Sequence, residues 1–284
     1  MSVTWYSDEP PERPAALTLA DRLRMVRRGV PALLVLMVCF LALLALRLIE
    51  RPVFGLCRPV TPYLTRIFGR CLFWIIGLRI ARQGRPMVYP GAIAANHSSW
   101  LDIFALHAFQ NVYFVSKAEV AGWPGIGWLA SAVGSVFIRR NRAEARDHTN
   151  SLRDRLTAGH HLVIFPEGTS TDGRRVLPFK STLFQAFLSD QLPADLHIQP
   201  VTLIYRAADG VDPRFYGWWG DMEFGDHLIR MLTAPRHGSV TVQFHPPIPV
   251  ADCPDRKALA RRSEDSVRLG LSAAEPKVVE EQAR

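Results

Sequence analysis

Ala94-Ala-Asn-His-Ser-Ser-Trp-Leu-Asp102 places a histidine just past a short apolar segment and a carboxylate five residues after it. Ile93-Ala94-Ala95 reads as a buried strand, and Ser98 or Ser99 can N-cap a helix beginning at Trp100. With Ser99 as the cap, Asp102 falls at the third helical position, where a carboxylate can reach back to the first turn. His97 then lies outside the helix, which matters because residues five apart within one helix do not share a face. Histidine is the commonest general base at physiological pH, and an adjacent carboxylate sets its tautomer and raises its basicity. Taken alone, the segment supports two readings: a His97–Asp102 dyad, or a capping box with His97 as an ordinary loop residue.

Downstream, short apolar runs alternate with helical stretches. Strands are expected at 92–95, 112–116, 135–138, 161–165, 198–204 and 240–244, and helices at 100–109, 142–158, 180–190, 222–233 and 255–270. That alternation indicates an α/β layered domain. The expected division is a mobile basic segment at 1–29, a membrane-associated helical region at 30–85, an α/β domain at 86–254, and a C-terminal helix and tail at 255–284.

The N-terminal part is the apolar one. Residues 31–46 carry no charge, and as a helix they barely cover a hydrocarbon core. A second apolar stretch, Cys71–Leu78, is too short to span. Arginines flank the first stretch on both sides, so the positive-inside rule assigns no orientation. A shallow helical hairpin with both ends cytoplasmic accommodates this, with a single-span anchor as its rival. A cleaved signal peptide is not expected, because no small-x-small site precedes a polar mature start. The 284 residues carry a net charge of +8, which suits a membrane surface, a phosphorylated substrate or a nucleic acid. The arginines cluster beside the apolar helices, where anionic lipid accounts for them, and no nucleic-acid partner is expected. Cys39, Cys57, Cys71 and Cys253 have neither metal-ligand nor disulfide-framework spacing and read as reduced thiols, consistent with a cytoplasm-facing chain.

Three further segments carry chemistry. Gly134-Ser-Val-Phe-Ile-Arg-Arg140 is a strand ending in two arginines that can hold a phosphate. Leu162-Val-Ile-Phe-Pro-Glu-Gly-Thr-Ser-Thr-Asp-Gly173 is a strand stopped by Pro166, then a tight turn with Glu167, Gly168 and hydroxyls, followed by Arg174, Arg175 and Lys180. Such a turn can present amides and hydroxyls to a polar head group. Ile198-Gln-Pro-Val201 is an apolar strand containing a proline, by default the start of an edge strand. In this order the segments resemble the glycerolipid acyltransferase superfamily, specifically bacterial 1-acyl-glycerol-3-phosphate acyltransferases. The family's Asn-His-x4-Asp, Gly-x2-Phe-Ile-x-Arg, Phe-Pro-Glu-Gly-Thr and proline-centred motifs match residues 96–102, 134–140, 165–169 and 199–201. The chain departs from the family at Arg139, where many members have Asp, and at Ser181-Thr182 after Lys180. Trp218-Trp-Gly-Asp-Met222 resembles a feature of proteobacterial members, including those that acylate lyso-ornithine lipid.

The resemblance implies a layered acyltransferase domain with a central mixed β-sheet flanked by helices, preceded by membrane-anchoring helices. It implies acyl transfer from acyl-CoA or acyl carrier protein to the sn-2 hydroxyl of 1-acyl-glycerol-3-phosphate, a lysophospholipid acceptor, giving phosphatidic acid. Lyso-ornithine lipid or another lysolipid is the alternative acceptor. His97 would be the base and Asp102 its orienting partner. Arg140, Glu167, Gly168 and Thr169 resemble acceptor-binding residues, with Arg139, Lys117 and Lys180 as further phosphate contacts. Amides at the helix start after His97 are expected to stabilise the thioester oxyanion. The acceptor alcohol attacks directly; Ser98 and Ser99 are the rival nucleophiles. No metal and no bound cofactor are implied, and the expected location is the cytoplasmic face of a bacterial inner membrane. A serine esterase is disfavoured by the absence of a Gly-x-Ser-x-Gly elbow. A non-catalytic membrane-surface lipid binder is disfavoured by the intact His97, Asp102 and Glu167.

Overall fold

The computed structural model describes residues 4–9, 16–123, 125–138, 145–189 and 192–274. The six expected strands all form, as β2 Gly91–Ala95, β3 Val112–Lys117, β4 Val136–Ile138, β5 His161–Ile164, β6 His197–Arg206 and β7 Ser239–Phe244. Two more join them: β1 Arg79–Gln83, which pairs in parallel with β7, and β8 Ile248–Pro249, which pairs with β6. The strand order is β1-β7-β6-β2-β5-β3-β4. Pairings β2–β5, β2–β6, β3–β5 and β3–β4 are parallel, and β6–β7 is antiparallel, so the sheet is mixed. The sheet begins at Arg79, upstream of the boundary expected at 86, because β1 has too polar a sequence to announce itself. It stays largely exposed and is held as a strand by its parallel pairing with β7.

β2 is central and buried on both faces. Ile93 and Ala95 join one core with Phe73, Leu101, Leu203 and Tyr205, while Ala92 and Ala94 join the other with Ile164, Leu259 and Val267. This is strand periodicity with helices on either side. One layer holds α1 Leu19–Phe54, α2 Thr61–Ile76, α3 Leu101–His107 and α6 Phe224–Thr233; α7 Arg256–Ala274 packs on the other face, against β6. A short helix, α4 Ile126–Val133, precedes β4, and α5 Ala145–Thr157 precedes β5. From β2 the chain crosses over β5 to reach β3, whereas from β5 it returns past β2 to β6. The connections therefore diverge between β2 and β5, and in open α/β sheets such a point, at the carboxyl ends of the strands, is where ligands bind.

α1 is longer than the apolar run alone suggests: 36 residues, or about 54 Å. Thr18 and Asp21 close a capping box at its start. It is the one helix among the described residues that is long and apolar enough to cross a membrane, and only 6% of its 18-residue apolar window is buried. Both of its ends are nevertheless tied to the domain. Arg24 donates to the Thr233 carbonyl, and Arg28 to those of Leu232 and Ala234. At the other end Glu50, 3% exposed, accepts from the amides of Val60 and Thr61 and from the Thr61 hydroxyl. Glu50 thus caps the start of α2 from the preceding helix and fixes the corner between them. Glu50→Ala strands those donors and is expected to cost about 2 kcal/mol. Thermal unfolding in detergent should show a melting temperature lower by roughly 5 °C.

Candidate active site

β2 ends at Ala95 and the chain turns into α3 through Asn96–Trp100. Asn96 anchors the turn: its side chain donates to the Leu203 carbonyl and accepts from the Leu203 amide. His97 Nδ1 lies 2.8 Å from Asp102 Oδ2. The same oxygen accepts from the amides of Ser98 at 2.7 Å and Ser99 at 3.0 Å, while Oδ1 accepts from the Tyr205 hydroxyl at 2.7 Å. The cap and the dyad are therefore one arrangement. The carboxylate that reaches back to the start of the helix is also the one that holds the imidazole. Asp102 is fully enclosed, while the His97 side chain is 20% exposed. A carboxylate at Nδ1 puts the proton there and leaves Nε2 as the lone-pair nitrogen. The ring is held flat by Phe165, stacked at 4.1 Å between centroids and 13° between planes. Nothing in the sequence marked Tyr205. It lies 103 residues beyond Asp102, and its hydroxyl is brought to the carboxylate only by the β2–β6 pairing. Burial, and then Asp102, hold its phenol protonated well above the usual range.

The neighbouring strand β5 delivers the turn at Phe165–Thr169. Glu167 is 1% exposed, and its oxygens accept from the amides of His97 and Leu177, both at 2.7 Å. Sequence resemblance put Glu167 among acceptor-binding groups; its carboxyl instead faces inward and holds the His97 backbone. Burial pushes it up to about 8, against the pull of the two amides. Gly168 has φ 74°, and a Cβ there would collide with the Lys180 ammonium, which lies directly over the glycine. A bare backbone is what lets Lys180 close on this turn. Thr169 Oγ1 accepts from the Trp5 amide at 3.4 Å. Lys117 ends β3 and is half-buried. Arg139 and Arg140 lie outside the described residues.

Several expectations change. Of the amides after His97, those of Ser98 and Ser99 are committed to Asp102, and that of Leu101 to Ser99 Oγ at 3.3 Å, so these three are not free to meet a developing oxyanion. Satisfying a buried carboxylate consumes the donors that the helix start would otherwise offer. Ser98 and Ser99 are both fully buried, which removes them as nucleophiles. Residues 4–9, expected to be mobile, are packed onto the site. The Trp5 carbonyl accepts from Gly220, the Tyr6 hydroxyl donates to Asp221, and the Arg175 guanidinium lies over the Trp5 ring. The half-buried Trp5 ring, set beside Trp219 and under the Arg175 guanidinium, is the anchor in this otherwise polar segment. The Trp218–Met222 segment enters the same neighbourhood. Trp218 donates its amide to Ser98, and its carbonyl accepts from the Ser170 hydroxyl. Gln199-Pro200-Val201 lies mid-strand in β6, between β2 and β7, not at an edge. Among the described residues, no group of three or more His, Cys, Asp or Glu side chains is arranged to hold a metal ion.

An Acyltransferase family model matches residues 78–204. The chain is 54% identical to a lyso-ornithine lipid O-acyltransferase of Rhodobacter capsulatus, over 94% of this chain and 96% of that one. The chain belongs to this acyltransferase family. As a lysolipid acyltransferase it is also 38% identical to the lyso-ornithine lipid O-acyltransferase of Pseudomonas aeruginosa, over 75% of this chain and 80% of that one. A 1-acyl-sn-glycerol-3-phosphate acyltransferase of Neisseria gonorrhoeae is 31% identical, over 68% and 74%. The fold matches that of the 1-acyl-sn-glycerophosphate acyltransferase of Thermotoga maritima with a TM-score of 0.59, at 19% identity, over 88% of this chain and 97% of that one.

Tyr205→Phe removes one donor from a buried carboxylate; the acyltransferase rate should fall about tenfold, the equivalent of one such hydrogen bond, in steady-state assays of folded protein. Glu167 binds a proton in the native state over a range where the unfolded chain has released it. Its contribution is present at low pH and is lost as pH rises through about 8. His107, His160, His227 and His237, lowered to about 4 by burial, act in the opposite sense but only below their ordinary 6.5. Between pH 6.5 and 8 the acyltransferase should therefore lose stability with rising pH, and Glu167→Gln should flatten that slope in denaturant melts.

Proposed function

We propose that this acyltransferase moves an acyl chain from a thioester donor, acyl-CoA or acyl carrier protein, to the free hydroxyl of lyso-ornithine lipid. The observation that carries the acceptor is the 54% identity, over nearly the full length of both chains, to the Rhodobacter capsulatus lyso-ornithine lipid O-acyltransferase. Acylation of 1-acyl-glycerol-3-phosphate to phosphatidic acid, the acceptor expected from the motifs, is the second reading; it is supported by relatives at 31% identity.

In the proposed reaction His97 Nε2 takes the hydroxyl proton as the acceptor oxygen attacks the thioester carbonyl. The new C–O bond forms, the C–S bond breaks, and the departing thiolate takes the proton back from the imidazolium. Asp102 orients the ring and stabilises its charge, as the 2.8 Å contact at Nδ1 supports. Tyr205 and Glu167 are positioning residues, acting through Asp102 and through the His97 backbone. Gly168, Thr169 and Lys180 line the acceptor side, with Lys117, Arg139 and Arg140 as the remaining candidates from the motif.

For the membrane, we place α1 in the plane of the interface rather than across it. Both of its ends are bonded to one domain, so they do not lie on opposite sides of a bilayer. Its outward side chains, among them Leu34, Val38 and Leu41, are more than half exposed and apolar. The flanking arginines favour an anionic surface, placed here as the cytoplasmic face of the bacterial inner membrane.

Purified protein offered equal lyso-ornithine lipid and lysophosphatidate, with mixed donors, should yield mainly ornithine lipid by mass spectrometry. A product pool dominated by phosphatidic acid would transfer the acceptor to the second reading. His97→Ala and Asp102→Asn should each lower the rate by roughly two to four orders of magnitude; near-wild-type rates in folded protein would sink the base assignment.

A further inference from the structure

A cleft of about 530 Å³ opens between residues 7–9, the turn at 172–175 and the loop at 212–214. Arg174, Arg175 and Arg214 share its lining with the carboxylates of Asp8, Glu9, Asp172 and Asp212. The charges interleave. Arg214 meets Asp212 at 2.9 Å and Glu9 at 2.8 Å, and Arg175 meets Asp172 at 3.0 Å. Asp172 is 2% exposed, and its Oδ2 makes no hydrogen bond, since the nearby Arg175 nitrogen lies outside hydrogen-bond geometry.

The cleft adjoins the reacting residues. Thr171, one residue before Asp172, donates its amide to the His97 carbonyl at 3.0 Å, and Gly173 abuts the Ser98 side chain. One wall is therefore the far side of the turn that touches the loop carrying His97. The opposite wall belongs to the segment whose Trp5 amide occupies Thr169 Oγ1.

The lining selects by charge. Four carboxylates against three guanidiniums leave a net negative surface. A phosphate monoester, carrying about −1.5 to −2 at neutral pH, is poorly matched to it. A lone amine would meet the arginines. A ligand that carries both a carboxylate and an ammonium can exchange into the existing pairs without leaving a charge unmatched. Glu9 is the displaceable partner: its side chain is 77% exposed, against 22% for Arg214 and 20% for Asp212. An exposed pair of this kind contributes little to stability.

We propose that this cleft is the acceptor headgroup site and that it takes a zwitterionic amino-acid headgroup. The ligand's carboxylate replaces Glu9 on Arg214, and its ammonium lies between Asp172 and Asp212. This assignment rests on lyso-ornithine lipid being the acceptor.

The test uses the full-length protein in detergent. Nα-acetylornithine, a soluble amide-capped amino acid, should inhibit competitively against the lysolipid, and glycerol 3-phosphate should not. Arg214→Ala and Asp172→Asn should each raise the KM for lyso-ornithine lipid and weaken that inhibition about tenfold, the equivalent of one charged hydrogen bond, with the KM for the acyl donor unmoved. Glu9→Gln, at an exposed side chain that does not threaten folding, should change both in the opposite direction, which a merely structural role would not produce. Unchanged headgroup affinity in all three variants, while the wild type acylates lyso-ornithine lipid, would overturn the cleft and leave the acceptor reading intact. If the wild type makes no ornithine lipid, the acceptor reading fails, and the cleft is decided by direct binding in saturation-transfer NMR. Nα-acetylornithine binding that is lost in Arg214→Ala supports it; glycerol 3-phosphate binding lost in the same variant overturns it.

Discussion

The Asp102 carboxylate is fully buried, no arginine or lysine among the described residues pairs with it, and the surrounding chain is arranged to keep it satisfied. Four donors converge on two oxygens: the His97 ring, the amides of Ser98 and Ser99, and the Tyr205 hydroxyl. Each constrains something different. The ring acquires its tautomer, the two amides fix the entry into α3, and the tyrosine ties the site to β6. An enclosed carboxylate this well bonded cannot move far, which is the condition for an orienting partner. It also withdraws the Ser98 and Ser99 amides from a developing oxyanion.

The sheet supplies the second constraint. His97 leaves β2 and Glu167 leaves β5, adjacent parallel strands whose connections depart in opposite directions. The crevice between them is set by topology before any side chain is chosen. Glu167 then joins the two strand ends by accepting the His97 amide, and Phe165 covers the ring. The histidine is pinned along its backbone, its Nδ1 edge and one face, so the free edge is the Nε2 side. A long apolar helix bonded at both ends to the rest of the chain gives the enzyme an apolar flank.

Under the proposed assignment, charge distribution is what would separate the two acceptor chemistries. Arginines are abundant along the chain, yet beside the Glu167 turn they alternate with carboxylates. A basic surface draws an anionic membrane, whereas an interleaved one recognises a ligand with both signs. In the proposed site the N-terminal segment would add to that selectivity, because Trp5 brings its amide to Thr169 Oγ1 and Glu9 its carboxylate to Arg214.

Much of this was legible in one dimension. Apolar or alternating runs bounded by turn residues located six of eight strands, because β2 and β6 bury both faces and β7 buries every second residue; β1, with two arginines and a glutamine in five residues, and the two-residue β8 carry no such signal. His97 and Asp102 could be paired from spacing alone, since the contact is made within five residues by a strand-to-helix turn whose geometry is local. Tyr205, the inward-facing role of Glu167, the occupied amides and the docking of residues 4–9 could not. Each depends on which strands lie side by side and on which donors a buried carboxylate has already taken. An α/β fold, an apolar N-terminal flank and a local His97–Asp102 pairing follow from the order of residues alone. What surrounds that pair is set by the assembled fold, because burial and non-local hydrogen bonding exist only once the sheet has formed.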